Sequence, residues 1–182
     1  MRQTERSRWP KGVVYRLRAT VVAAALLLTL AGAAREALGA VKILARSGAW
    51  AAIGGIADDG KRTCGVASWD QNRLVSIKHF AGRSFWAAQL TNLAWNRPSG
   101  TKARGFVQFI FPDRRVLTHL ATYYGNTLQF LIYPVELPIL ETELRRSPSM
   151  LLMILPGQET WRLDLSGVAD ALARMEQCDA GR

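Results

Sequence analysis

The sequence predicts a mainly β domain behind an N-terminal leader. The expected form is an antiparallel β-sandwich or partly open barrel, with a short helix and a disulfide-clamped C-terminal helix. Three observations predict it. Short apolar–polar runs alternate with turn residues about every ten positions, which suits strands rather than long helices. Gly125-Asn126 joins two such runs as a two-residue hairpin turn, with glycine where positive φ is needed. The chain's two cysteines are Cys64 and Cys178, and the second sits in the last turn of the final helical pattern.

Residues 1–19 carry six basic side chains and one acid, and residues 20–34, TVVAAALLLTLAGAA, carry no charge. ALG follows at 37–39. A basic stretch, an apolar run and small residues at a cut describe a secretory signal peptide, cleaved after Gly39 or after Ala33. The run is shorter than the roughly 20 residues that span a bilayer. Retention as an N-terminal anchor is the alternative, and membrane contact is expected only through an uncleaved leader. The expected organisation is therefore a leader, 1–39, and one β-rich domain, 40–182. Export places that domain in the periplasm or outside the cell.

Residues 1–39 hold seven of the 24 basic and two of the 14 acidic side chains, so the remainder has 17 and 12, a net +5 rather than +10. Half of the basicity belongs to the leader, and the high pI is no argument for a nucleic-acid partner.

In an oxidising compartment two cysteines pair. A Cys64–Cys178 bridge closes a loop of 114 residues, worth roughly 4 to 5 kcal/mol in chain entropy. It clamps a C-terminal helix that otherwise frays.

Along the mature chain the text near Trp50 is apolar and glycine-rich, and DDGKR, beginning at Asp58-Asp59, is a turn. Residues 63–69 and 74–80 are strands, the second placing Leu74, Ser76, Lys78 and Phe80 on one side. FWAAQLTNLAW, 85–95, mixes helical spacing with aromatic content and is taken as a strand. NRPSGTKARG, 96–105, is a loop. GFVQFIF, VLTHLATYY and TLQFLIYP (105–111, 116–124, 127–134) form an antiparallel meander. ILETELRRS, 139–147, has early acids and late arginines, as a short helix prefers. SMLLMIL, 149–155, is an apolar strand, and TWRLDL, 160–165, puts Trp161, Leu163 and Leu165 on one face. Ser166 is expected to cap a helix that aligns Val168, Ala171, Leu172, Met175 and Cys178. The count is about eight strands.

The end of the chain, from ILETELRRS through SMLLMIL and TWRLDLSG to VADALARMEQC, resembles small exported proteobacterial proteins of the invasion-associated locus B group. The likeness rests on layout and on Gly167, Ala171-Leu172 and Cys178, and it is best over the second half of the mature chain. It implies an envelope or secreted location and a class linked to stress survival or host interaction, in which no catalytic residue is established, and it implies no reaction.

The chemistry-bearing residues give no enzyme signature. Ser76, His79 and Asp70 make a triad on paper, but no GxSxG elbow accompanies them. His79 and His119 lie inside predicted strands. Asp58-Asp59 and the pair Glu141 and Glu143 lack facing geometry. Two histidines and two distant cysteines do not space a metal site, and no phosphate loop calls for a nucleotide cofactor. No cofactor or metal is expected. The candidate binding residues are Trp86, Trp95, Arg97, Lys102 and Arg104, since indoles beside arginines can meet glycans, bases or anionic headgroups. The expected function is a non-enzymatic envelope or secreted binding protein, with a protein, glycan or anionic lipid as partner. The alternatives are a periplasmic hydrolase using His79 or His119, and an inhibitor or structural module for another exported protein. An exposed apolar patch would favour the last.

Overall fold

Ten strands hydrogen-bond into one antiparallel sheet in the order β1-β2-β3-β4-β5-β8-β7-β6-β9-β10. The computed structural model describes residues 41–57, 59–95 and 102–181. Residues 1–40, where the sequence predicts a leader, Asp58, residues 96–101, Arg97 among them, and Arg182 lie outside the described residues. The strands are β1 (Lys42–Ser47), β2 (Trp50–Ile56), β3 (Arg62–Trp69), β4 (Arg73–Phe80), β5 (Trp86–Asn92), β6 (Lys102–Ile110), β7 (Val116–Tyr124), β8 (Thr127–Ile132), β9 (Ser149–Leu155) and β10 (Glu159–Asp164). The helices are α1 (Leu137–Arg146) and α2 (Val168–Asp179).

The mainly β class, the short helix and the clamped C-terminal helix are as the sequence predicts. The strands share one sheet that does not close, so the partly open form describes them better than two stacked sheets. Two strands go beyond the expected eight. β1 and β2 arise in and before the apolar, glycine-rich text near Trp50, to which the sequence assigns no element. Gly54 lies within β2 because a Cβ there would stand 2.9 Å from both Cys178 Sγ and Leu44 Cδ1. The glycine thus serves close packing, not a turn.

Alternation divides each strand between two faces. One face carries Trp50, Cys64, Val66, Ile77, Leu90 and Leu128 on β2 to β5 and β8, then Val107, Phe109, Leu152 and Trp161 on β6, β9 and β10, all buried. Both helices pack into this inner face: α2 inserts Val168, Ala171, Leu172 and Met175, and α1 inserts Leu140 and Leu144. The sheet curls around them. Its two ends meet where Trp50 Nε1 donates to the Asp164 carbonyl at 2.8 Å and the Ala49 N–H to the Ser166 carbonyl at 3.0 Å. At the other end of β10, Trp161 stacks on Trp95 with centroids 5.6 Å apart.

Several boundaries differ from expectation. α1 begins two residues early because Pro138 fits the first helical turn, which leaves no acid there. α2 starts after Gly167 (φ +81°), not from a Ser166 cap. The Ser166 hydroxyl bonds Asp164 Oδ2 instead, at 3.0 Å. β5 stops at Asn92, where the Asn92 side chain accepts the Ala94 N–H and turns the chain. β6 begins at Lys102, inside the segment read as loop, because its pairing with β7 extends to Tyr124. The hairpin turn at Gly125 (φ +60°) is as expected.

Candidate functional site

The meander enters the sheet reversed, so β8 pairs with β5 and β6 with β9. β7 and β8 pair only at Thr122–Gln129, Tyr123–Leu128 and Tyr124–Thr127. Beyond Thr122 and Gln129 the two strands splay. A trough of about 460 Å³ opens on the outer face over that split, lined by Gln89, Thr118, Leu120, Thr122, Gln129 and Leu131, with Phe80 and Tyr133 at its rim.

Register explains its lining. Arg104 is opposite Thr122, Thr122 opposite Gln129, Gln129 opposite Gln89, and Gln89 opposite Ser76. One row of polar side chains therefore crosses five strands. Lys78 is buried beside it and its Nζ donates to Gln89 Oε1 at 2.8 Å. Burial pushes the Lys78 ammonium below its ordinary pKa.

His119 lies beneath the split, 4% exposed, stacked on Phe130 at 5.1 Å with its edge to Phe109. Its Nδ1 is 3.7 Å from Glu136 Oε2, and its Nε2 is buried with no partner at hydrogen-bond geometry. Glu136 also accepts the Tyr133 N–H at 3.1 Å. Burial lowers the His119 pKa, while Glu136 and the Leu131 carbonyl pull it upward. The buried Nε2, without a partner at hydrogen-bond geometry, offers a hydrogen bond to whatever enters the trough.

The residues singled out from sequence fall in separate places. Cys64 and Cys178 are bonded, with Cα atoms 5.9 Å apart. Trp86 is core, opposite His79 and Ile132. Trp95 is half-buried, and Glu159 accepts hydrogen bonds from its Nε1 at 2.7 Å and from Trp161 Nε1 at 2.6 Å. Lys102 and Arg104 stand on β6, and Arg104 is exposed at the end of the polar row. The paper triad does not assemble. Ser76 belongs to the outer face, whereas His79 pairs with Cys64 on the inner face and with Asp179 at 2.5 Å. Asp70 binds Arg73 and turn N–H groups at the far end of β4. Glu141 is half-buried, and that burial raises its pKa. Glu143 is buried on α1 against Arg115 and Arg146. Among the described residues no three His, Cys, Asp or Glu side chains cluster to hold a metal. Among them, too, no helix is long and apolar enough to cross a membrane.

Sequence reasoning missed Gln89, Gln129 and Thr122. Their signal was the alternation itself, since polar residues at alternate positions of a half-buried strand mark its outward face. That they align across strands is a matter of register, which composition does not encode.

These features define a class: a single curled antiparallel sheet, filled by two helices, stapled at its C terminus and carrying an open trough on its outer face. No family model matches the chain, and no curated protein or solved structure is significantly similar to it.

Proposed function

We propose that this chain is an exported, non-enzymatic binding protein of the bacterial envelope or exterior, of the kind represented by the invasion-associated locus B group. The observation that carries the binding role is the trough, where hydrogen-bonding side chains from β5, β7 and β8 converge over a buried imidazole. The separation of Ser76 from His79 on opposite faces favours binding over hydrolysis. The Cys64–Cys178 bond supports export, because such bonds persist in oxidising compartments. A second reading, a module that docks on another exported protein, draws support from exposed Phe106, Leu120 and Leu131.

The test of export is the mass of the chain recovered from the cell envelope without reductant. The expected mass lacks the leader and two hydrogens. Recovery of the full-length chain from the cytosol with both thiols open to alkylation overturns the reading. Binding to anionic glycans or lipid vesicles, compared with the Arg97→Ala/Lys102→Ala/Arg104→Ala variant, decides whether the basic stretch is the contact. An unchanged affinity removes it.

A further inference from the structure

The outer face around the trough is banded. Phe106 is opposite Leu120 across β6 and β7, and Leu131 continues the line on β8, beyond the split. All three are exposed, at 49%, 55% and 38%. On one side of this apolar stripe lies the row Thr122, Gln129 and Gln89. On the other side Gln108 donates to the Thr118 hydroxyl at 3.3 Å. Rows on one face of an antiparallel sheet repeat about every 6.8 Å along the strands, and strands are about 4.8 Å apart. The stripe is therefore one side chain wide and runs across the strands.

Resting on the binding role proposed above, we propose that this stripe and its trough bind a neutral linear oligosaccharide lying across β6, β7, β8 and β5. A pyranose ring presents C–H groups on its faces and hydroxyls around its edge. The apolar stripe meets the first, and the amide and hydroxyl rows on both flanks meet the second. One ring seats in the split between Leu120 and Leu131, where an inward hydroxyl completes the hydrogen bonding of His119 Nε2. Its neighbours extend over Phe106 and toward Gln89.

The chemistry of the flanks selects this occupant. They consist of amides and hydroxyls; the charges near them are Arg104 at the end of one row, Lys78, whose ammonium is held by Gln89, and Glu136 beside His119 in the trough, so opposite charges offset and an uncharged ligand suits them. An acyl chain would strand both polar rows against hydrocarbon. An extended peptide docks on a sheet by pairing with an edge strand, here β1 or β10, rather than by crossing a face.

The test is NMR and calorimetric titration of the purified, oxidised full chain with neutral linear oligosaccharides of graded length, glucose-based and N-acetylglucosamine-based. The expected result is affinity that rises with chain length and then levels off, with shifts at Gln89, Gln129, Thr122 and the His119 ring. Gln129→Ala and, separately, Phe106→Ala should each weaken binding about tenfold, the worth of one such contact. Both positions are on the outer face, and the titration of the unaltered chain maps the site without either variant. The proposal is overturned if no neutral oligosaccharide binds, if shifts map elsewhere, or if only a polypeptide binds the stripe. Export is read separately: a chain that binds sugar yet stays in the cytosol retracts the location alone, and an exported chain that ignores sugar retracts the ligand alone.

Discussion

Cys64 and His79 face each other directly across β3 and β4, and both hold the final turn of α2. Cys64 does so through its bond to Cys178, and His79 through a 2.5 Å contact from Nδ1 to Asp179 Oδ2. The other ring nitrogen, Nε2, donates to the Arg83 carbonyl at 2.7 Å, which fixes the imidazole in place. A covalent link and a polar one therefore sit side by side at the helix end that would otherwise fray.

Removing the covalent half should cost most. The Cys64→Ala/Cys178→Ala variant is expected to lose about 2–5 kcal/mol in urea unfolding, the upper end being the chain-entropy value for a loop of this length. His79→Ala should then cost more in that background than in the oxidised protein, because only there does the polar contact alone order the helix end. Equal costs in the two backgrounds, measured as a double-mutant cycle, would show that the two contacts act independently.

The junction between the ends of the sheet depends on glycine at one point above all. Gly167 adopts φ +81°, and a Cβ there would collide with the Ser47 carbonyl. Gly167→Ala should cost more than about 2 kcal/mol, since strain and a clash with backbone combine. Gly82 has nearly the same φ, +79°, but nothing within 4 Å of its notional Cβ. Gly82→Ala should cost only about 1 kcal/mol, the conformational part alone. Thermal unfolding of both variants separates collision from strain.

Glu159 joins β10 to the end of β5 by accepting from three donors, Trp95 Nε1, Trp161 Nε1 and Asn92 Nδ2. Glu159→Ala leaves two indole N–H groups without their acceptor in a partly buried site. The expected loss is about 2–4 kcal/mol, more than one neutral hydrogen bond, because charged acceptors bond more strongly. Tryptophan emission should shift to the red as the Trp95–Trp161 stack loosens. Unchanged emission and stability would mean that water replaces the carboxylate at no cost.

The sequence made some parts of this molecule legible and hid others, for physical reasons. The meander from β6 to β8 was readable because each strand alternates and Gly125-Asn126 specifies its turn. The bridge was readable because two cysteines allow one intramolecular pairing. β1 and β2 were not, because Gly54 and Gly55 interrupt the alternation that marks a strand, and the close packing that requires Gly54 involves Cys178, far away in the sequence. Trp95 reads equally as a ligand-binding indole beside arginines and as a core residue of a small sheet, because its partners Trp161 and Glu159 lie 66 and 64 positions away. The trough was illegible because it arises where β7 and β8 stop pairing, and nothing in either strand's composition records that departure.

His119 gives the fold an acid sensitivity whose sign follows from its burial. Its pKa lies below the unfolded value of about 6.5, chiefly because burial disfavours the charged ring, with Glu136 and the Leu131 carbonyl opposing. Between the folded and unfolded values the unfolded chain binds more protons, so stability rises with pH through that window. It is complete above the unfolded value and is lost as pH falls toward the folded one. His119→Gln has no ring proton to gain and should flatten this acid limb. Urea unfolding followed from about pH 8 down to about pH 5 reads it, across the range where histidine changes charge. If the variant and the unaltered chain lose stability in parallel over that range, the sensitivity belongs to another group and His119 is not buried as described.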